Sequence, residues 1–129
     1  MLVELIMQHL HSFLLVFLGG GIGSALRFGI ALIAPPGTGR FPWATLVANG
    51  IACLILGFIL GMHLNGQMPD QRRLLLGTGL CGGLSTFSTF ISENWALYEN
   101  GQPTLMLVNT LVSLVLCFIC LLAGLKMAF

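Results

Sequence analysis

The fold of this chain is decided by the stretch Gly77-Thr-Gly-Leu-Cys-Gly-Gly-Leu-Ser-Thr-Phe-Ser-Thr-Phe-Ile91. It lies inside a long apolar segment, yet it contains four glycines and five hydroxyl side chains. Each glycine within a helix costs about 1 kcal/mol relative to alanine, and Ser and Thr offer the backbone competing hydrogen bonds. The sequence therefore predicts that no unbroken helix runs through Gly82-Gly83 and that a helix breaks between Gly82 and Ser85. A broken membrane helix is a candidate ion site, because its freed backbone groups need buried partners or water.

The composition predicts an integral membrane protein. The 129 residues are 57% hydrophobic and 7% charged, whereas a soluble domain is about 25% charged. A spanning helix takes about 20 mostly apolar residues, so four spans fill nearly the whole chain as a single transmembrane domain, residues 1–129. The predicted spans are residues 5–33, 43–62, 74–98 and 104–125, and the breaker-rich loop Ala34–Pro42 joins the first two. The formal net charge of +1 provides no basic patch, so nucleic acid is not an expected partner.

A few polar side chains interrupt the apolar spans and are candidates for an ion path. Arg27 lies well inside the first span, where a charge is costly, so it either attracts an anion in a vestibule or extends to the headgroups. Thr45 and Asn49 share one face of the second span at i and i+4. Asn49 lines a pore or bonds to a neighbouring helix. In the fourth span, Asn109, Ser113 and Cys117 recur every four residues and form a polar stripe, although a helix–helix seam would look the same.

The four cysteines all lie within predicted spans. Cys117-x-x-Cys120 has the spacing of a redox or metal pair, but on an apolar helix without a neighbouring His it is interpreted as packing. His9 and His11 precede the first apolar run and are interpreted as interfacial side chains, since they are too close in sequence to share a helical face.

The charge distribution between the loops gives only a weak orientation signal. With four spans, Arg72, Arg73 and Lys126 share one side of the membrane, against Arg40 on the other. Such a small excess is a weak bias under the positive-inside rule. Insertion in both orientations is therefore conceivable, which permits an antiparallel pair.

Three motifs in this sequence resemble those of a known family. They are Gly19-Gly-Gly-Ile-Gly-Ser-Ala-Leu-Arg27-Phe, Ala44-Thr-Leu-Val-Ala-Asn49-Gly, and Gly79-Leu-Cys-Gly-Gly-Leu-Ser-Thr-Phe-Ser-Thr-Phe90 with Glu93. They resemble the fluoride channel family known as Fluc or CrcB. The resemblance covers all four spans. It implies a fluoride-selective channel in the cell membrane that exports cytoplasmic fluoride passively, built as an antiparallel dual-topology homodimer with two pores and one structural sodium ion at its centre.

The resemblance also implies roles for individual residues. The sodium ligands would be the backbone carbonyls of Gly82 and Ser85, and the anion path would include Asn49, Phe87, Phe90 and the stripe of Asn109, Ser113 and Cys117. Ala44 stands where relatives usually have Gly, and Asn109 and Cys117 replace a Tyr and a Ser of some relatives. Fluoride is strongly hydrated and needs hydrogen-bond donors along its route. The residues proposed for that route are Asn49, Phe87, Phe90, Ser88, Thr89, Ser113, Asn109, Thr45 and Arg27.

Two other function classes remain open at this stage. A proton-coupled exporter of cationic drugs would need a carboxylate within the membrane, and Glu93 is the acidic residue suitably placed. A subunit that only assembles with other proteins would use the small residues of its spans for packing. The sequence has no ATP-binding motif and no Ser/His/Asp set, so an enzyme is not expected.

Overall fold

The computed structural model of the chain describes residues 1–35 and 40–129. Within these ranges, four helical spans are long and apolar enough to cross a membrane. Helix α1 is Leu2–Ile33, α2 is Trp43–Leu64, the third span is Asp70–Glu99, and the last helix is Pro103–Met127. Each extends up to a few residues beyond the predicted bounds. Part of the loop predicted at 34–42, residues 36–39, lies outside the described residues.

The third span consists of four helical pieces. They are α3 (Asp70–Arg73), a π-helical segment (Leu74–Cys81), α4 (Gly82–Leu84) and α5 (Phe87–Glu99), and the fourth span is α6. Between α4 and α5, Ser85 (φ −76°, ψ 155°) and Thr86 (φ −152°, ψ 120°) have extended backbone. The Thr86 hydroxyl caps α5 by accepting a hydrogen bond from the Thr89 amide.

The glycine pair itself is helical, so extended backbone begins only at Ser85, the last residue of the range Gly82–Ser85 in which the sequence predicts the break. Gly82 has φ −64° and ψ −36°, and both glycines belong to α4. The reason lies in packing. A Cβ added to Gly83 would overlap the carbonyl oxygen of Gly20 in α1, so the missing side chain allows two helices to touch at backbone distance. The extended residues follow one turn later, where the Thr86 cap starts a new helix.

Glycines also set the other close contacts of the bundle. In α1, Gly19 and Gly23 are buried, and a Cβ on either would overlap the backbone of the third span. On the opposite side, a Cβ on Gly57 of α2 would overlap the Leu121 carbonyl of α6, and one on Gly124 of α6 would overlap the Leu54 carbonyl of α2. The four spans are thus held as two closely packed pairs, α1 with the first half of the third span and α2 with α6.

The small core lies where α2 meets the third span. Its buried members are Ala48, Ala52, Ile59, Cys81 and Leu84. The outer faces of α1 and α6 expose large apolar side chains such as Phe13, Phe17 and Phe118. An apolar exterior of this extent is typical of a surface covered by lipid or by another protein.

Candidate functional site

The candidate site begins at a pair of hydrogen bonds between α2 and the extended residues of the third span. The Thr86 amide donates to Asn49 Oδ1 at 2.7 Å, and Asn49 Nδ2 donates to the Thr86 carbonyl at 3.3 Å. The Asn49 side chain therefore satisfies both backbone polar groups of a residue that is outside the helical ladder. This is how extended backbone can persist inside an apolar bundle.

Two backbone amides of the third span bond to side chains instead of to the carbonyl groups that a continuous helix would offer them. In an α-helix, the amides of residues 86 and 89 would bond to the carbonyls of residues 82 and 85. Here the Thr86 amide goes to Asn49, and the Thr89 amide goes to Thr86 Oγ1 at 3.2 Å. The carbonyl groups of Gly82 and Ser85 thus lose the donors that a continuous helix would have supplied.

Arg27 faces the third span. Its Nε donates to the Gly83 carbonyl at 3.1 Å, and Ser24 Oγ approaches the same oxygen at 3.5 Å. Arg27 is half-buried and lines a cavity of about 280 Å³. Of the two interpretations left open by the sequence, this geometry favours a positive charge in a vestibule over one that extends to the headgroups.

Glu93 lies in the same cavity. It accepts a hydrogen bond from Thr45 Oγ1 at 2.7 Å through its Oε1, while its buried Oε2 has no partner among residues 1–35 and 40–129. Thr89 and Arg27 also line this cavity. The sequence analysis named Glu93 in the third motif and as the carboxylate of an exporter, and did not group it with Thr45. The i, i+4 spacing of Thr89 and Glu93 places both on one face of α5, but the pairing with Thr45 joins two different spans.

A second cavity, of about 380 Å³, lies on the other side of Thr86. It brings together five residues that the sequence analysis assigned to the anion path, namely Asn49, Phe87, Phe90, Ser113 and Cys117. The Phe87 and Phe90 rings are neighbours, with centroids 5.9 Å apart and an interplanar angle of 32°. Thr86 lines both cavities, and Asn49 lines the one that contains the phenylalanines.

Comparison with known proteins decides the family. Residues 14–125 match the family model described as "CrcB-like protein, Camphor Resistance (CrcB)". The chain belongs to the CrcB family. A relative in Erythrobacter litoralis is 38% identical over 125 residues, covering 92% of each chain, and one in Pyrococcus abyssi is 40% identical over 117 residues, covering 87% of this chain and 94% of the relative. A third, in Clostridium perfringens, is 37% identical over 95% of this chain and 97% of the relative. All three are named "Fluoride-specific ion channel FluC".

CrcB family membership and four apolar spans make this chain a multi-pass membrane protein. In this CrcB chain the polar stripe of α6 is divided. Ser113 and Cys117 line the larger cavity, whereas Asn109 is only 1% exposed and lies between α5 and α6. Asn109 Nδ2 donates to Asn94 Oδ1 at 2.8 Å, and Ser113 Oγ donates to Asn109 Oδ1 at 3.3 Å.

The hydroxyl groups at the start of α5 differ in environment. Thr86 Oγ1 donates to Thr89 Oγ1 at 3.0 Å and lies 3.4 Å from Ser88 Oγ. Thr89 lines the vestibule, whereas Ser88 is exposed on the outside of the single chain. Within this CrcB chain, the cavities bring together Asn49, Thr45, Arg27, Thr89, Phe87, Phe90 and Ser113, and leave Ser88 and Asn109 outside their walls.

Proposed function

We propose that this chain is a fluoride-selective ion channel that lets cytoplasmic fluoride leave the cell passively. The observation that carries the proposal is the Asn49–Thr86 pair, because Thr86 lines both the vestibule with a positive side chain and the cavity lined by Phe87, Phe90 and Ser113. The family and the names of its relatives support the choice of ion.

The chemistry of the larger cavity suits a small, strongly hydrated anion. Asn49 and Ser113 can donate hydrogen bonds that offset dehydration, and none of the residues that line this cavity carries a charge. Aromatic rings have a positive edge, so Phe87 and Phe90 can hold an anion weakly in a dry passage. Weak binding by neutral groups permits release, which a channel needs.

Passive flow is sufficient for protection against fluoride. An interior-negative membrane potential drives an anion outward by about 2.3 kcal/mol per elementary charge per 100 mV. A channel of this kind is not an enzyme and requires no source of chemical energy. Glu93 accepts a hydrogen bond from Thr45 within the same site, and no observation on residues 1–35 and 40–129 favours the proton-coupled exporter.

We further propose that two copies assemble in antiparallel orientation around one structural sodium ion. Gly82 is exposed, and a Cβ added there would meet nothing within 4 Å, so its face is open to a partner. The carbonyl groups of Gly82 and Ser85 lack the amide donors of a continuous helix, because those amides bond to Asn49 and Thr86. Carbonyl oxygens of unwound membrane helices suit sodium. When bound, the ion would link the two copies and contribute a positive charge near the anion path.

The test of the channel is fluoride efflux from proteoliposomes under a potential, with chloride efflux as the selectivity control. Wild-type protein is expected to release fluoride and retain chloride, and both Phe87→Ile and Phe90→Ile are expected to reduce fluoride efflux. Phe13→Ile, on the exposed face of α1, is the matched control and should release fluoride like the wild type. Purified protein that passes no anion at all would refute the channel and favour an assembly subunit.

The test of the assembly uses the same protein in detergent. Native mass spectrometry is expected to find dimers, and replacing sodium with N-methylglucamine during purification should lower their melting temperature. Two results would contradict this part of the proposal without contradicting the channel. One is a monomer that conducts fluoride, and the other is a dimer whose melting temperature is the same with and without sodium.

A further inference from the structure

A chain of side-chain hydrogen bonds runs from the backbone of α6 across to α5 and back to the larger cavity. Thr110 Oγ1 donates to the Met106 carbonyl at 2.9 Å, and Asn94 Nδ2 donates to Thr110 Oγ1 at 3.3 Å. Asn109 Nδ2 donates to Asn94 Oδ1 at 2.8 Å, and Ser113 Oγ donates to Asn109 Oδ1 at 3.3 Å. Among these residues, Ser113 is the one that lines the larger cavity. The chain therefore connects a hydroxyl group of the cavity wall to side chains that lie behind it.

The direction of every bond in this chain follows from its first acceptor. A backbone carbonyl can only accept, so the Thr110 hydroxyl hydrogen points to Met106 and the Thr110 oxygen is left to accept. The atom of Asn94 that faces Thr110 must then be Nδ2, which leaves Asn94 Oδ1 facing Asn109. By the same reasoning, Asn109 turns its Nδ2 to Asn94 and its Oδ1 to Ser113. The chain thus presents an acceptor to the Ser113 hydroxyl.

Burial keeps the two amide groups in this orientation. Asn94 is 8% exposed and Asn109 is 1% exposed, so water cannot readily replace a bond that either side chain loses. Reversing Asn109 alone would place its Oδ1 against Asn94 Oδ1, so that two acceptors would face each other. Buried polar groups without partners are strongly disfavoured. The amides are therefore fixed as a pair, and Thr110 decides which way the pair points.

We propose that Asn94 and Thr110 are positioning residues, which make Asn109 compete with the transported anion for the Ser113 hydrogen. A hydroxyl group has a single hydrogen, so it can be donated either to Asn109 Oδ1 or to an anion in the cavity. The bond to Asn109 is long for a hydroxyl donor, at 3.3 Å, and can be given up when the ion arrives. The competition weakens binding of the anion and favours its release, as conduction requires. This inference rests on the proposed fluoride channel.

The test measures the unitary fluoride current in planar bilayers as a function of fluoride concentration. A merely structural role would change the number of active channels and leave the half-saturating concentration as it is. Asn109→Leu removes the internal acceptor, so the half-saturating concentration should fall by about fivefold, the factor that corresponds to one net hydrogen bond of about 1 kcal/mol. The maximal current should fall with it, because the ion leaves more slowly.

Ser113→Ala shows whether Asn109 acts through the Ser113 hydroxyl. This variant removes the donor, so the half-saturating concentration should rise above that of the wild type. The double variant with Asn109→Leu should have the same half-saturating concentration as Ser113→Ala alone, since no hydroxyl remains for which Asn109 could compete. Independent effects would instead add in the double variant.

Thr110→Val tests the far end of the chain and does not depend on whether Asn109→Leu folds. It keeps the shape of the side chain and removes the oxygen that fixes the Asn94 amide, so both amides can reverse together. Asn109 can then turn its Nδ2 to Ser113, which frees the Ser113 hydrogen for the ion. The half-saturating concentration should fall, by a smaller factor than in Asn109→Leu, and Thr110→Ser, which retains the hydroxyl, should restore the wild-type value.

Three results would overturn the inference. An unchanged half-saturating concentration in Asn109→Leu and Thr110→Val, or additive shifts in the double variant, would refute the competition and leave the channel intact. An equal shift in Thr110→Ser and Thr110→Val would assign the effect to packing of the methyl group. Wild-type protein without any fluoride current would refute the channel, and with it the competition.

Discussion

The Asn49 side chain bonds to both backbone polar groups of Thr86, accepting from its amide at 2.7 Å and donating to its carbonyl at 3.3 Å. One side chain thus replaces two hydrogen bonds that a continuous helix would have made. Asn49→Ala leaves both groups of a buried residue unpaired, at a cost of about 1 to 3 kcal/mol each. We expect the variant to show a lower melting temperature in detergent and to lose most of its fluoride efflux.

The matched control for this variant is Asn65→Ala. The Asn65 Nδ2 also bonds to a distant backbone carbonyl, that of Ala128 at 2.8 Å, but the pair is exposed at the end of α2. Water can replace an exposed bond, so this variant should differ little from the wild type in both measurements. If Asn49→Ala also matched the wild type, the proposed role of the pair would be wrong.

The contact between α2 and α6 depends on two glycines. A Cβ on Gly57 would overlap the Leu121 carbonyl, and one on Gly124 would overlap the Leu54 carbonyl. Backbone cannot yield as a flexible side chain does, so Gly57→Ala and Gly124→Ala should force the helices apart. We expect both variants to show a lower melting temperature in detergent than the wild type.

Gly21→Ala and Gly29→Ala test whether the loss of stability comes from the contact between α2 and α6 or would follow from replacing any glycine in a span. A Cβ at either position would meet nothing within 4 Å. Alanine is favoured over glycine in a helix by about 1 kcal/mol, so these variants should be as stable as the wild type or more so. A loss of stability in all four variants would count against the packing explanation.

Asn94 and Asn109 test whether Asn109, the buried residue of the polar stripe on α6, stabilises the fold or contacts the ion. Their side chains are joined at 2.8 Å, and Asn94 Nδ2 also donates to Thr110 Oγ1 at 3.3 Å. Contacting residues show coupling energies of about 0.5 to 3 kcal/mol in double-mutant cycles. We expect Asn94→Ala and Asn109→Ala each to lower the melting temperature, and the double variant to lower it by less than the sum. Lost fluoride efflux with unchanged stability in Asn109→Ala would instead indicate direct contact with the ion.

The sequence was sufficient for the four spans, because each apolar run approaches or exceeds the length of a bilayer crossing. It was less accurate at the interruption. Glycine content predicted a break between Gly82 and Ser85, but Gly82 and Gly83 are themselves helical, and Gly83 packs closely against α1. The extended residues are Ser85 and Thr86, stabilised by Asn49 from another helix. Local propensity contains no information about such a distant partner.

The site shows the same division between local and distant information. The spacing of Asn109, Ser113 and Cys117 placed them on one face of α6, but periodicity does not say which neighbour covers each turn. The Asn109 side chain is hydrogen-bonded to Asn94 of α5, whereas Ser113 and Cys117 line the larger cavity. The bond between Thr45 and Glu93 likewise joins residues from different spans, which a single sequence does not reveal.

The bond from Thr45 to Glu93 gives a prediction about the vestibule. Thr45 Oγ1 donates to Glu93 Oε1 at 2.7 Å, and the buried Oε2 has no partner in the part of the chain that the structure describes. Thr45→Val keeps the shape of the side chain and removes the hydroxyl, so both carboxyl oxygens of Glu93 would lack a donor among the described residues. An unpaired carboxyl group inside the vestibule is costly, and it would take up a proton or turn toward Arg27. We therefore expect fluoride efflux to fall in Thr45→Val.

Thr45→Ser separates the hydroxyl from the methyl group of the same side chain. It retains the donor to Glu93 and loses one carbon, so fluoride efflux should stay near the wild-type level if the hydrogen bond matters. Glu93→Gln completes the set, because an amide can still accept from Thr45 but cannot carry a negative charge. Equal efflux in Thr45→Val and the wild type would show that the bond is dispensable. Reduced efflux in Thr45→Ser as well as in Thr45→Val would assign the effect to packing of the methyl group rather than to the carboxyl group that the hydroxyl positions.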